Sequence, residues 1–222
     1  MAKPQQIFVS CPFGNGIRKN YDRLKRDVEK STPLHIVLAD TTAVSSTDYL
    51  LEHITTLIRE SAGCIFDVTG GNPNVSLEVG IAHALPADFL LAFYTRKTPS
   101  AAEKALAKQG ETKPIISDLQ GRNRIEYKQY VALHDQVENR YLGSLPYYQR
   151  WLKFKRANSS YEKYALQVFE EIRDSGRTLT PRVTSILSGS GIATKDFARA
   201  LTKEKLVTIN KGRQGGWYYP SR

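Results

Sequence analysis

The chain has 222 residues, a net charge of +10 and 41% hydrophobic content, enough to bury the core of one large domain or of a medium domain with a small appendage. No apolar run approaches the ~20 residues that span a bilayer, and the start, Met1-Ala2-Lys3-Pro4-Gln5-Gln6, carries no apolar signal core, so neither membrane insertion nor export is expected. Cys11 and Cys64 are the only cysteines, which points to a reducing cytoplasm rather than a disulfide framework; with four scattered histidines they offer no zinc-ligand spacing, and no metal is expected.

In chain order, Gln5–Ser10 reads as a short strand, followed by the loop Cys11-Pro12-Phe13-Gly14-Asn15-Gly16. Arg18–Lys30 is a polar helix with Ile17, Tyr21, Leu24 and Val28 on one face, and Leu34–Ala39 a second strand. Tyr49–Glu60 is a helix with the stripe Leu50, Ile54, Leu57, Ile58. A third strand, Cys64–Asp67, ends on a carboxylate and runs into the breaker cluster Gly70-Gly71-Asn72-Pro73-Asn74. The helix beyond it places Val75, Val79, Ala82 and Leu85 on one face, and Asn72 or Asn74 is positioned to cap it. Phe89–Tyr94 is a fourth strand. Strands alternating with helices at this spacing predict a flavodoxin-like α/β fold, a parallel sheet of order 2-1-3-4-5 with helices on both faces.

Past Tyr94 the pattern loosens. Thr95–Lys113 reads as a connection, with Ile115-Ile116 and Arg124–Tyr127 as short edge strands. Lys128–Arg156 is helical in two pieces broken around Gly143–Pro146, and its aromatics Tyr130, Tyr141, Tyr147, Tyr148, Trp151 and Phe154 read as packing against the sheet or a second subunit; a homo-oligomer is expected. Ala157–Ser160 reads as a linker, dividing the chain into an α/β domain over 1–156 and a small domain over 157–222. The latter holds helices at Tyr161–Arg173, Pro181–Leu187 and Thr194–Lys203, then strand, turn and strand around Lys211–Gly216, a winged-helix-like pattern. It carries 11 basic against 6 acidic residues, and Lys195, Arg199, Lys203, Lys211 and Arg213 are the candidates for contact with DNA phosphates; such modules also bind proteins.

In an open sheet, ligands settle beyond the carboxyl ends of the strands where connections diverge, here between strands one and three. The two loops there are the most Gly- and Asn-rich of the front half. Their glycines let backbone amides approach a ligand, the helix start at Asn74 offers amides to an anion, and Asp67, Asn72 and Glu78 are expected to converge on one cleft. Glu78 lies beside an apolar stripe, where a carboxylate is either solvated near its helix start or held at a cleft.

The run Asp67-Val68-Thr69, six residues, then Ser76-Leu77-Glu78-Val79-Gly80-Ile81-Ala82 resembles the signature of the nucleoside 2-deoxyribosyltransferase-like superfamily, which is structurally close to TIR-type NAD hydrolases. The resemblance covers roughly residues 5 to 95 and implies cleavage of an N-glycosidic bond. Glu78 would be the nucleophile or the carboxylate stabilising an oxocarbenium-like transition state, and Asp67 the residue that holds or protonates the departing base. It also implies that Cys11, Pro12, Phe13, Gly14, Asn15, Gly16 and Arg18 cradle phosphate or ribose, with Asn72 and Asn74 completing the substrate site. Asn-Pro-Asn-Val is similar to proteins of bacterial defence systems. Asn72 stands where the transferases often carry an aspartate, and Leu77 where they carry a tyrosine; nicotinamide needs little acid assistance to leave, so the first change favours NAD over a plain nucleoside. NAD or a nucleotide enters as substrate or ligand, and no cofactor is implied. Two other readings stand beside the enzyme: a nucleotide sensor whose winged helix binds DNA, and an oligomerising adaptor. Cys11 has no evident catalytic partner, His83 falls on a different helix face from Glu78, and neither a Walker motif nor Gly-x-Ser-x-Gly is present.

Overall fold

The computed structural model describes residues 3–14, 16–39, 47–95, 124–210 and 215–220. The front half alternates as expected: β1 (Lys3–Ser10), α1 (Ile17–Ser31), β2 (His35–Leu38), α2 (Thr47–Glu60), β3 (Ser61–Asp67), α3 (Pro73–Ala84) and β4 (Phe89–Tyr94). The edge strand β5 (Arg124–Tyr127) follows, whereas Ile115-Ile116 lies outside the described residues. The five strands form one parallel sheet in the order β2-β1-β3-β4-β5, a flavodoxin-like topology. β1 lies between β2 and β3, its Ile7 opposite Ile36 of β2 and its Val9 opposite Ile65 of β3.

Because side chains alternate across a strand, the sheet has two apolar faces with separate partners. Phe8, Cys64, Phe66 and Leu91 pack under α2 and α3 through Ile54, Leu57, Ile58, Val75, Val79 and Ala82. Ile7, Val9, Ile65 and Leu90 face α1 through Tyr21, Leu24 and Val28, and also meet the two helices that follow the sheet, α4 (Tyr130–Arg140) and α5 (Pro146–Ala157). Of the aromatics after β5, Tyr141, Tyr147, Tyr148, Trp151 and Phe154 are all buried in this second layer.

The stretch expected as a linker is a single turn. α5 ends at Ala157 and a 3-10 turn at Ser159–Tyr161 leads straight into α6 (Glu162–Ser175), followed by α7 (Thr180–Ile186), α8 (Thr194–Lys203) and the antiparallel pair β6 (Thr208–Asn210) and β7 (Gly216–Tyr218). This tail shares one apolar cluster with the sheet: Phe169, Phe197 and Trp217 belong to the same buried set as Ile7 and Tyr21. Polar contacts join the two parts as well. The Arg173 guanidinium donates to the Glu29 carbonyl at 2.7 Å and to the Thr32 and Leu34 carbonyls at 3.4 and 3.3 Å, where α1 ends and its last carbonyls need donors. No helix among the described residues is long and apolar enough to cross a membrane.

One close approach fixes how the α4–α5 layer sits on the sheet. The Tyr141 hydroxyl accepts the Cys64 amide at 2.8 Å and donates to the Asp88 carbonyl at 3.0 Å, directly over Gly63. A Cβ at Gly63 would fall on that hydroxyl and within 2.9 Å of Cζ. Gly63→Ala should therefore destabilise the protein by about 1–3 kcal/mol, as overpacking does, and lower the melting temperature measured by circular dichroism.

Candidate active site

A cavity of about 270 Å³ opens where β1 and β2 end, floored by α2 and α3. β1 contributes Val9 and Ser10, the loop after it Cys11 and Phe13, and the first turn of α1 Arg18. Leu38 and Ala39 close the β2 side, Leu50 and Ile54 come from α2, and Asn72, Asn74, Val75 and Glu78 from the start of α3. The two Gly- and Asn-rich loops therefore do meet at the switch point.

Glu78 is the only carboxylate among the described residues lining this cavity, and only 6% of it is exposed. It occupies the same helix face as Val75, Val79 and Ala82. The Ser10 hydroxyl hydrogen-bonds the carboxyl group, yet Oε2 has no partner among the described residues. Burial pushes its pKa above the ordinary glutamate value, and the Ser10 hydrogen bond opposes that shift only in part. Ser10 had no motif to mark it in the sequence; the one available signal is strand parity, since it lies two residues beyond Phe8 and so faces α3.

Asn72 is the cap of α3. Its Oδ1 accepts the Asn74 amide at 2.9 Å and the Val75 amide at 3.3 Å, its backbone carbonyl accepts the Ser76 amide at 3.0 Å, and Pro73 has no N–H. The first-turn amides are thus used within the helix, which corrects the expectation that the start at Asn74 offers them to an anion. What Asn72 has left for a ligand is its side-chain NH₂. The contrasting helix start is α1, which begins behind Gly16 at φ 76° with no side-chain cap and no acid in its first turn. That positive end, beside Arg18, suits an anion better. Arg18 also pairs with Asp22 at 2.8 Å.

Asp67 does not join the cavity, contrary to the expected convergence. It has the strand parity of Ile65 and so turns to the α1 face of the sheet, away from Glu78. There it is 0% exposed, and its Oδ2 accepts the Tyr127 hydroxyl at 2.6 Å and the Tyr21 hydroxyl at 3.1 Å. Its Oδ1 accepts the Thr69 amide at 3.1 Å, and the Thr69 hydroxyl in turn accepts the Tyr94 amide at 2.7 Å. Burial raises the Asp67 pKa against the lowering effect of these donors. Tyr21 and Tyr127 are raised as well, by burial first and by the adjacent carboxylate second.

Of the remaining expected site residues, Cys11, Phe13, Arg18, Asn72 and Asn74 line the cavity, Pro12, Gly14 and Gly16 do not, and Asn15 lies outside the described residues. In the tail, Lys195, Arg199 and Lys203 are exposed at four-residue spacing on α8, with Arg199 3.5 Å from Asp196. Lys211 and Arg213 fall outside the described residues. No group of three or more metal-ligating side chains occurs among the described residues.

No protein-family model matches the sequence, and no curated protein does. Among solved structures, the chain is similar to a 2-desoxiribosyltransferase from Leishmania mexicana at 14% identity and a TM-score of 0.46, over 61% of this chain and 99% of that one. It is also similar to the Flv1 flavodiiron core from Synechocystis at 16% identity and a TM-score of 0.33, over 59% of this chain and 32% of that one. The class of protein is fixed by the sheet order itself: a flavodoxin-like α/β protein with a cavity at its switch point.

The two acids give separate stability predictions. Burial raises the native pKa of Glu78, so as pH falls the folded protein takes up this proton before the unfolded chain does. Its ionised form therefore weakens the fold at neutral pH, and the penalty fades as pH drops through the raised value. Glu78→Gln should raise stability by about 1 kcal/mol at pH 7, with little gain left at pH 4, as read by thermal melts at both pH values. Tyr127→Phe should cost about 1–3 kcal/mol by removing a donor from a buried carboxylate, and less in an Asp67→Asn background; a double-mutant cycle by denaturant unfolding measures the difference.

Proposed function

We propose that this cavity holds the ribose of NAD or a related nucleotide and that Glu78 promotes cleavage of its N-glycosidic bond. The observation that carries this reading is the buried Oε2 of Glu78, without a partner among the described residues, in a cavity at the carboxyl edge of the sheet. Leaving such an atom unpaired costs stability, and the expense is understandable where a ligand's developing positive charge supplies the missing partner. The motif around Glu78, which resembles that of deoxyribosyltransferase-like and TIR-type enzymes, supports the same role.

In this reading the carboxylate lies below the anomeric carbon. As the C1′–N bond breaks, its electron pair goes to the departing base, and Glu78 stabilises the oxocarbenium-like centre or bonds to it covalently until water adds. The incoming water loses its proton to solvent or to the carboxylate. Phosphate sits toward Arg18 and the uncapped start of α1, the Asn72 amide donates to a sugar hydroxyl, and Phe13, 66% exposed, covers the mouth. At about 270 Å³ the cavity is at the small end of ligand sites, typically about 300–1,000 Å³, which suits the ribose and one neighbouring group rather than a whole dinucleotide.

The leaving group is narrowed by what the cavity lacks. With Asp67 turned to the other face, no second carboxyl among the described lining residues is placed to protonate a base. A pyridinium such as nicotinamide in NAD departs as a neutral molecule without a proton, whereas an adenine or a pyrimidine benefits from one. Asp67 acts in this reading as a positioning residue, holding through Thr69 the loop that delivers Asn72. The same lack of an acid favours a second reading for ordinary nucleotides, binding without turnover, as in a sensor.

Incubation with NAD, nicotinamide mononucleotide and deoxynucleotides, with released base followed by chromatography, tests both. Wild type should release nicotinamide from the first two, and Glu78→Gln should lower that rate by about 10²–10³-fold or more. Because Glu78 must be ionised, the rate should fall on the acid side with an apparent pKa above the ordinary glutamate value of 4.5. Equal rates for wild type and variant would refute the role of Glu78; tight nucleotide binding with no released base would establish the sensor.

A further inference from the structure

At the opposite end of the sheet lies a second, wider depression. It runs between α5 and the turn after α8, has a volume of about 530 Å³, and is lined by Gln149, Arg150, Lys153, Arg156, Lys203 and Lys205, with Leu152 and Glu204 at its base. A smaller cavity continues it past Pro4 and Ala62, at the starts of β1 and β3, and shares Arg150 and Lys205 with it. The Glu78 cavity is at the other end of the same strands, roughly 20 Å away along the eight residues of β1.

Three features distinguish this groove from an ordinary solvated surface. Its cations come from both banks: Arg150, Lys153 and Arg156 at three-residue spacing on α5, and Lys203 and Lys205 from the end of α8. The only carboxylate among its described lining residues, the buried Glu204, is ion-paired to Lys153 at 3.0 Å, and the Tyr147 hydroxyl donates to the Leu206 carbonyl at 2.8 Å, so the banks are tied at a set separation. Lys205 has left-handed backbone at φ 53°, in the position after a helix end that glycine usually occupies. Its amide bonds the Thr202 carbonyl while the Leu206 amide reaches back to the Leu201 carbonyl. A lysine there is strained where a glycine would be relaxed, and its exposed side chain is what the strain retains.

The structure assigns this groove to the sugar-phosphate backbone of a duplex nucleic acid. From Arg150 to Arg156 the helix rises about 9 Å, a length over which one strand of a duplex carries about three phosphates, comparable with the four lining cations besides Lys153, which Glu204 engages. Single-strand grooves depend on aromatic side chains that stack on bases. Here the α5 aromatics Tyr147, Tyr148, Trp151 and Phe154 are buried, no aromatic is among the described lining residues of the wider depression, and Tyr147, which lines the smaller cavity, is 1% exposed. Contact is therefore with phosphates rather than bases, and sequence preference is weak. Of the described residues expected from sequence to touch DNA, Lys203 lines the groove and Lys195 and Arg199 do not, while Lys211 and Arg213 lie outside the described residues. This inference is independent of the N-glycosidase reading, since the two sites lie at opposite edges of the sheet.

Fluorescence anisotropy of a labelled 20-base-pair DNA duplex, titrated with the full chain between 50 and 200 mM salt, tests it. Binding is expected, with a slope of log K against log salt of about −3 to −5. Arg156→Gln combined with Lys203→Gln should weaken binding at least tenfold and make the slope shallower by about 2, whereas Lys195→Gln with Arg199→Gln should change little. Lys205→Gly is the variant that separates folding from binding: it should raise the melting temperature and still weaken the duplex complex severalfold. Equal binding of duplex RNA supports the same backbone contact. Failure to bind a duplex at 50 mM salt would overturn the assignment. So would tighter binding of the single strand or of phosphatidylserine vesicles, or a loss confined to the Lys195/Arg199 variant.

Discussion

A carboxylate shut away from water at the end of β3 must find its donors inside the protein, and that requirement organises the carboxyl edge of the sheet. Asp67 takes them from α1 through Tyr21, from β5 through Tyr127 and from its own loop through the Thr69 amide. Buried hydrogen bonds to charge are worth more than neutral ones, and losing one leaves a charged group unsatisfied. The loop after β3 is held accordingly: Thr69 anchors Tyr94 of β4, and Asn72 arrives where it caps α3. The geometry around Glu78 follows from that placement.

The two acids of the motif therefore differ in kind, although both are buried. Asp67 is satisfied on every side and serves the fold. Glu78 has a single serine on one side and the cavity on the other. The period of the strand divides them, because Asp67 follows Ile65 toward α1 while Ser10 follows Phe8 toward α3. A fold whose structural needs are met by one carboxylate can tolerate a second that is left poised, and poised carboxylates suit glycosidic chemistry.

The tail adds a second axis. Arg173 grips the end of α1, and Phe169 stacks on Tyr219 with ring planes 8° apart, so α6 and the terminal segment are built onto the sheet's second layer. α5 has a divided character as a result. Its aromatic face completes the core, and its basic face forms one bank of the groove. Five of the chain's basic side chains are thereby brought together at the edge of the sheet remote from Glu78.

Much of this was legible in the chain. Runs such as Ile7-Phe8-Val9 and Cys64-Ile65-Phe66 read as buried strands, and their alternation with the stripes of α1, α2 and α3 points to the class of fold. The Asn-Pro-Asn turn marked the start of α3 with Asn72 or Asn74 as its cap, and Glu78 stood out as a charge beside an apolar stripe. Other features came only with the tertiary structure. Asp67 meets Tyr21 and Tyr127 across 46 and 60 residues of sequence, and no local pattern encodes such a pairing. The face to which Asp67 turned, the union of Ser10 with Glu78, and the meeting of α5 with the end of α8 depend on strand register and helix packing. Local periodicity determines which elements form and which side of each is apolar; only their assembly decides which distant side chains share a cavity.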